Sequence, residues 1–348
     1  MIAGLIGILT ASVALAMGFS SGEDEHDKDG NETLSEQDDE LNTKIDKQTD
    51  IVDFIPNTPD VVDEQSHPSD DQKSSWQDGE IITGTPEADT LLGSPQNDQI
   101  GGKDGTDLIQ GQAGDDQLFG MGGEDTLQGG DGYDTLHGQS GNDVLSGQAG
   151  DDVMFGHEGK DTLDGGTGDD RLQGGGGQDL MKGGSGDDAL HGYLGNDTLV
   201  GHAGQDSLFG GHGDDVVDGR DENNFDPNKT EDDNVDPTGD YLNGGKGNDI
   251  IFADANDTIT GGDGADSLIL SDWIKQNHQT VIFDFDPDED RLMVLYDAEE
   301  TPTPELTIEQ DGDDETQQQV YLEGEYVATV FAKTALTQHN ITLVPMVN

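Results

Sequence analysis

The chain has 348 residues, with 14 Lys and Arg against 77 Asp and Glu and a formal net charge of -63. Such a surface attracts cations and repels nucleic acid and anionic membrane, which excludes a polyanion partner. Hydrophobic residues are 30%, aromatics 5% and glycine 52 of the 348, too little apolar side chain for a conventional core through most of the chain, and with no cysteine there is no disulfide.

Residues 1–19 form an apolar run with no charged side chain. As a helix it would be roughly 28 Å long, enough to cross a bilayer core. No Lys or Arg precedes it, unlike a secretory signal, yet Ala14-Leu15-Ala16 supplies a small-x-small cleavage site. An uncleaved envelope anchor, a cleaved signal and a segment packed elsewhere all remain open. Residues 20–80 hold 20 acidic and 4 basic residues and few aromatics. They are expected to form a disordered, self-repelling spacer, because so polar a segment cannot bury enough surface to offset chain entropy.

From Gly84 to Asp218 the chain reads as fifteen nonapeptides without insertion or deletion. Position one is always glycine and position six always aspartate. Position eight is aliphatic or Met, and position four is glycine except at Glu87 and Gln96. Strand side chains alternate, so positions six and eight should point inward and seven and nine outward, on a strand about three residues long. Glycines one and four are expected to supply the turn through positive φ. Stacked repeats would bring carboxylates about 4.8 Å apart, where they repel by about 3–4 kcal/mol at an effective dielectric of 20. Cations must intervene, and calcium suits carboxylate and turn-carbonyl oxygens, whereas no His or Cys cluster suits zinc.

The pattern G-(G)-x-G-x-D-x-U-x resembles the RTX, or hemolysin-type, calcium-binding repeat of bacterial proteins over more than half of the chain. The resemblance implies an all-β fold, a right-handed parallel β-roll in which two repeats complete one coil of two short sheets. It also implies many calcium ions held between successive turns by Asp carboxylates and turn carbonyls. Carried onto this chain, the ligands are Asp107, Asp116, Asp125, Asp134, Asp143, Asp152, Asp161, Asp170, Asp179, Asp188, Asp197, Asp206, Asp215, Asp249 and Asp266. The first two repeats are left out because Glu87 and Gln96 replace the fourth glycine. Folding is expected to depend on calcium.

Five histidines lie among the repeats: His137, His157, His191, His202 and His212, at positions nine, two, nine, two and three. They are expected to share no row and to sit on a solvated surface. Neither H-E-x-x-H nor G-x-S-x-G occurs around them. Arg220 to Thr238 reads as a polar loop inserted in the roll. The repeat resumes at Asp240, with full nonapeptides at Gly244–Phe252 and Gly261–Ile269 and a stretch one residue short between them.

Beyond residue 269 the glycines stop. Strands are expected at 280–286, 291–296, 305–309, 319–322, 326–331 and 341–344, forming an antiparallel region that caps the roll. Asp284 to Leu292 resembles the D-F-x-P-x-x-D-x-L segment that often follows RTX repeats. In that family an uncleaved C-terminal signal engages type I secretion machinery. The expected organisation is therefore 1–19 anchor or signal, 20–80 spacer, 81–269 roll and 270–348 β-rich cap. The expected function is a non-enzymatic, exported, extracellular or cell-surface calcium-binding protein, a surface or matrix component; no nucleophile–base pair stands in the last 79 residues. The alternative is a recognition or adhesion module whose ligand binds the C-terminal β-region or the inserted loop, which an exposed patch with Trp273 or Tyr296 would favour.

Overall fold

A computed structural model describes residues 79–220, 239–271, 280–298, 302–310 and 316–346. The apolar run 1–19, the spacer 20–80 apart from its last two residues, the inserted loop beyond Arg220 and Trp273 lie outside the described residues.

The strands are β1 (Ile81–Thr83), β2 (Thr90–Leu92), β3 (Gln99–Asp104), β4 (Leu108–Ala113), β5 (Gln117–Gly122), β6 (Thr126–Asp131), β7 (Thr135–Ser140), β8 (Val144–Ala149), β9 (Val153–Gly159), β10 (Thr162–Thr167), β11 (Arg171–Gly177), β12 (Leu180–Ser185), β13 (Ala189–Gly195), β14 (Thr198–Ala203), β15 (Ser207–His212) and β16 (Val216–Asp218). After the insertion come β17 (Tyr241–Lys246), β18 (Ile250–Ala253), β19 (Thr258–Asp263), β20 (Ser267–Leu270), β21 (Val281–Phe285), β22 (Arg291–Asp297), β23 (Leu306–Gln310), β24 (Gln317–Leu322), β25 (Glu325–Ala332) and β26 (Ile341–Met346).

Odd and even strands separate into two sheets. One is ordered β1-β3-β5 and so on to β19-β21-β25-β24-β23, the other β2-β4-β6 and so on to β20-β22-β26. Each repeat strand pairs in parallel with the strand two repeats on, as Leu163 does with Met181 and Leu145. The fold is thus an all-β parallel solenoid, as the resemblance implied. Position eight supplies its core: Ile100, Leu118, Leu136 and Met154 from one sheet and Ile109, Leu127, Leu145 and Leu163 from the other are fully buried. Each turn contributes only one such side chain per sheet, so the apolar interior is one residue wide on each side.

Two local expectations need correction. The strands run six residues rather than three, because pairing continues through positions one to three of the next block, as in Leu108–Ala113. Alternation survives the extension: positions six, eight and one all point inward. The positive φ values fall at positions two and four, not one and four. Position two carries them even where it is not glycine, from Lys103 (88°) and Gln112 (89°) to Tyr193 (73°) and His202 (72°). The glycine at position one has another reason, which lies in the carboxylate site.

Parallel pairing does not stop where the glycines do. β21 continues the first sheet from β19, and β22 continues the second from β20. β25 and β26 then join in parallel beyond them. Among the described residues only β23, β24 and β25 pair antiparallel. The apolar strand pattern is the same for both directions of pairing, so sequence could not separate the two.

Candidate metal sites

Each position-six aspartate from Asp98 onward sits at the start of a strand, just inside the turn, and is almost fully buried; Asp152 and Asp206 are 0% exposed. Its Oδ1 accepts the main-chain N–H of the aspartate one coil earlier. The bonds run Asp98 to Asp116 to Asp134 to Asp152 in one ladder, at 2.7–2.8 Å, and Asp107 to Asp125 to Asp143 to Asp161 in the other, at 2.8 Å. The inserted loop does not interrupt them. Asp206 N–H donates to Asp240 and Asp215 N–H to Asp249, both at 2.8 Å, across 34 residues instead of 18.

The second oxygen is the unusual one. At Asp107, Asp116, Asp125, Asp134, Asp143, Asp152, Asp161, Asp170, Asp179, Asp188, Asp197, Asp215, Asp249 and Asp266, Oδ2 is buried with no hydrogen-bond partner. A buried charge without compensation is costly. It points toward the Cα of the position-one glycine of its own block. A Cβ on Gly111 would lie 2.2 Å from Asp116 Oδ2 and 2.7 Å from the Gly129 carbonyl oxygen. A Cβ on Gly165 would lie 2.3 Å from Asp170 Oδ2 and 2.5 Å from the Gly183 carbonyl oxygen. Position one is therefore glycine for space beside a carboxylate and a carbonyl, not for its backbone angle.

The electrostatics suit a cation beside these carboxylates. Burial, partly offset by the N–H bond from the previous rung and reinforced by neighbouring carboxylates, pushes Asp188 up to about 8. The same causes carry Asp134, Asp152, Asp161, Asp197 and Asp249 to about 7. Asp116, Asp143 and Asp215 rise to about 6, again chiefly through burial. A cation at Oδ2 would reverse the shift. The donors, carboxylate and main-chain carbonyl, are the hard oxygens that calcium takes. Among the described residues no three His, Cys, Asp or Glu side chains converge on one point, which leaves no side-chain centre of the zinc kind there.

All fifteen sequence-predicted ligands fall in the two ladders. The ladders also take in Asp89 and Asp98, which are not among the sequence-predicted ligands, and three rungs that were missed: Asp240, Asp257 and Asp290, at 4%, 0% and 4% exposure. Each opens a D-x-aliphatic triplet (Asp240-Tyr-Leu, Asp257-Thr-Ile, Asp290-Arg-Leu), and that short signal could have found them without the glycines. Asp240 is the most perturbed, pushed to about 10 by burial and then by Asp257 and Asp206.

The histidines need a correction too. His137 and His191 occupy the same position-nine row of the odd-numbered sheet, through Phe155 and Gln173. His137 stacks between Phe119 and Phe155 at 5.0 and 4.7 Å, and its Nδ1 lies 3.1 Å from His157 Nε2. His191 is only 5% exposed and stacks on Tyr193 at 3.6 Å. Counting positions within nine residues hid the row, because the structural period is eighteen. Burial holds both His137 and His191 down to about 4.

Two parallel sheets joined by glycine turns, with a buried aspartate ladder along each edge, define a calcium-type β-roll. A family model described as RTX calcium-binding nonapeptide repeat (4 copies) matches residues 77–109, 101–136, 129–163, 155–190, 164–199, 191–226 and 236–268. These matches span more than half of the chain, and the chain belongs to that family. No curated protein matches it.

Proposed function

We propose that the chain is an extracellular or cell-surface calcium-binding protein whose roll folds as it takes up ions along both ladders. The observation that supports this best is the row of buried Oδ2 atoms without partners, each lying against the position-one glycine, often with a turn carbonyl beside it. Aspartates Asp107 to Asp215 at nine-residue spacing, with Asp249 and Asp266, are the proposed ligands, together with turn carbonyls. Where calcium is scarce, as in a cytosol, repulsion along the ladders keeps the roll open and threadable; at millimolar calcium outside, it closes. That behaviour suits export through type I secretion machinery, with 1–19 as tether or signal, 20–80 as spacer, 81–269 as the roll and 270–348 as the cap. Only RTX repeats are detected and no catalytic domain is identified. Among the described residues no helix is long and apolar enough to cross a membrane.

Far-UV circular dichroism tests the folding reading. A coil-like spectrum in EGTA that becomes β-rich in millimolar calcium is expected; a fully folded spectrum in EGTA overturns it. Cell fractionation tests the location.

One observation favours the second reading, recognition at the C-terminal β-region. Val281, Phe283, Gln317, Gln319, Tyr326, Thr329 and Phe331 line a shallow groove there. Phe283 is 43% exposed and stacks on Phe331 at 5.0 Å. Loss of cell-surface attachment in Phe283→Ala, with calcium binding intact, would favour this role.

A further inference from the structure

The two ladders end differently from the way they run. At the interior rungs Asp107 to Asp197, Asp215, Asp249 and Asp266, position two has positive φ and Oδ2 of the following aspartate is buried without a hydrogen-bond partner. At the N-terminal end position two is Thr85 or Ser94, each followed by proline, and neither has positive φ. Thr85 donates its N–H and its hydroxyl to Asp89 Oδ2, at 2.6 and 3.0 Å. Ser94 does the same to Asp98 Oδ2, at 2.5 and 3.1 Å.

The C-terminal end repeats the device with other residues. Asp254 N–H donates to Asp257 Oδ2 at 2.8 Å, while Asp257 Oδ1 accepts Asp240 N–H at 2.8 Å. Asp286 N–H donates to Asp290 Oδ2 at 2.7 Å, while Asp290 Oδ1 accepts Asp266 N–H at 3.0 Å. In the Asp257 turn position one is Ala253, fully buried, so a methyl group stands where interior rungs leave space with glycine. One ladder thus begins at Asp98 and ends at Asp257; the other begins at Asp89 and ends at Asp290. At all four ends the oxygen that is orphaned in the interior is held by the chain's own N–H.

We propose that Asp89, Asp98, Asp257 and Asp290 are cation-free terminators, in which a main-chain N–H takes the place of the ion. Ion binding then begins at Asp107 and Asp116 and is confined to the rungs between the terminators. An ion approaching an Oδ2 that already accepts an N–H competes with that donor, and displacing it would strand a buried N–H. The terminators solve the end problem of a solenoid: the outermost turns close without depending on an ion that has protein on one side only. This rests on the calcium reading above.

Native mass spectrometry of the full chain in calcium counts the bound ions. The fourfold variant Asp89→Asn, Asp98→Asn, Asp257→Asn, Asp290→Asn is expected to bind the same number as the unaltered chain, whereas Asp161→Asn binds fewer. A lower count in the fourfold variant overturns the terminators and leaves the calcium reading standing. If the unaltered chain binds no calcium, both fall. Should the fourfold variant fail to fold, hydrogen exchange on the unaltered, calcium-loaded chain decides. The amides of Thr85, Ser94, Asp254 and Asp286 are expected to be protected; exchange at the rate of an unstructured peptide means that an ion has taken their acceptor, and overturns the proposal.

Discussion

Asp161 Oδ1 accepts the main-chain N–H of Asp143 at 2.8 Å, one coil earlier, and its Oδ2 turns toward Gly156, where a Cβ would come within 2.5 Å. One carboxylate therefore does two things: it ties successive coils together and it offers a bare oxygen to an ion. Gly156→Ala places a methyl group against that oxygen and 2.6 Å from the Gly174 carbonyl. The expected result is fewer bound ions and a loss of about 1–3 kcal/mol from overpacking, read from thermal unfolding in calcium.

Position separates ligand from bystander. Asp161 is 1% exposed and lies in the ladder, whereas Asp164, three residues on, lies on the outer face and is exposed. Asp161→Asn should weaken calcium binding and lower the number of ions in a calorimetric titration. Asp164→Asn should leave both unchanged, since an exposed surface substitution alters stability by about 0.5 kcal/mol or less. Equal effects of the two would mean that calcium senses only total charge.

The pH dependence should change sign with calcium. In the calcium-free roll Asp134, Asp152, Asp161, Asp197 and Asp249 stand at about 7, raised from 3.8, and Asp188 at about 8. Between those values the folded roll holds protons that the unfolded chain has released. Lowering the pH from about 8 to about 5 therefore stabilises the calcium-free roll, and raising it back through about 7 removes that stabilisation. In calcium, protons compete with the ion, so the same acidification weakens apparent calcium affinity. Circular dichroism in EGTA and calcium titrations at the two pH values check both directions.

The core is one side chain wide per sheet, so it has little capacity to repack. Leu163 is fully buried between its neighbours Leu145 and Met181 in the even-numbered sheet. Leu163→Ala should cost about 2–5 kcal/mol. In a solenoid whose repeats touch only their neighbours, the loss should be greatest locally, visible as faster hydrogen exchange in the turns around residue 163 than at the C-terminal strands.

The nine-residue period by itself determined the inward row at position eight and the recurring aspartates, because each depends only on alternation along a strand and on which residues recur; the two-sheet parallel coil was what the resemblance to the RTX repeat implied. Residues 280–297 were legible as strands but not as a continuation of the roll, since parallel and antiparallel partners demand the same apolar alternation. Asp240, Asp257 and Asp290 escaped because the glycines that framed the other rungs were partly absent. Tertiary structure alone decided which oxygen of Asp161 is bonded and which is bare, that His137 and His191 share a row, and that Asp89, Asp98, Asp257 and Asp290 are closed by N–H groups. The first two are relations between coils, at a period of eighteen, and the last is local and depends on where a backbone N–H points, which residue type alone does not decide.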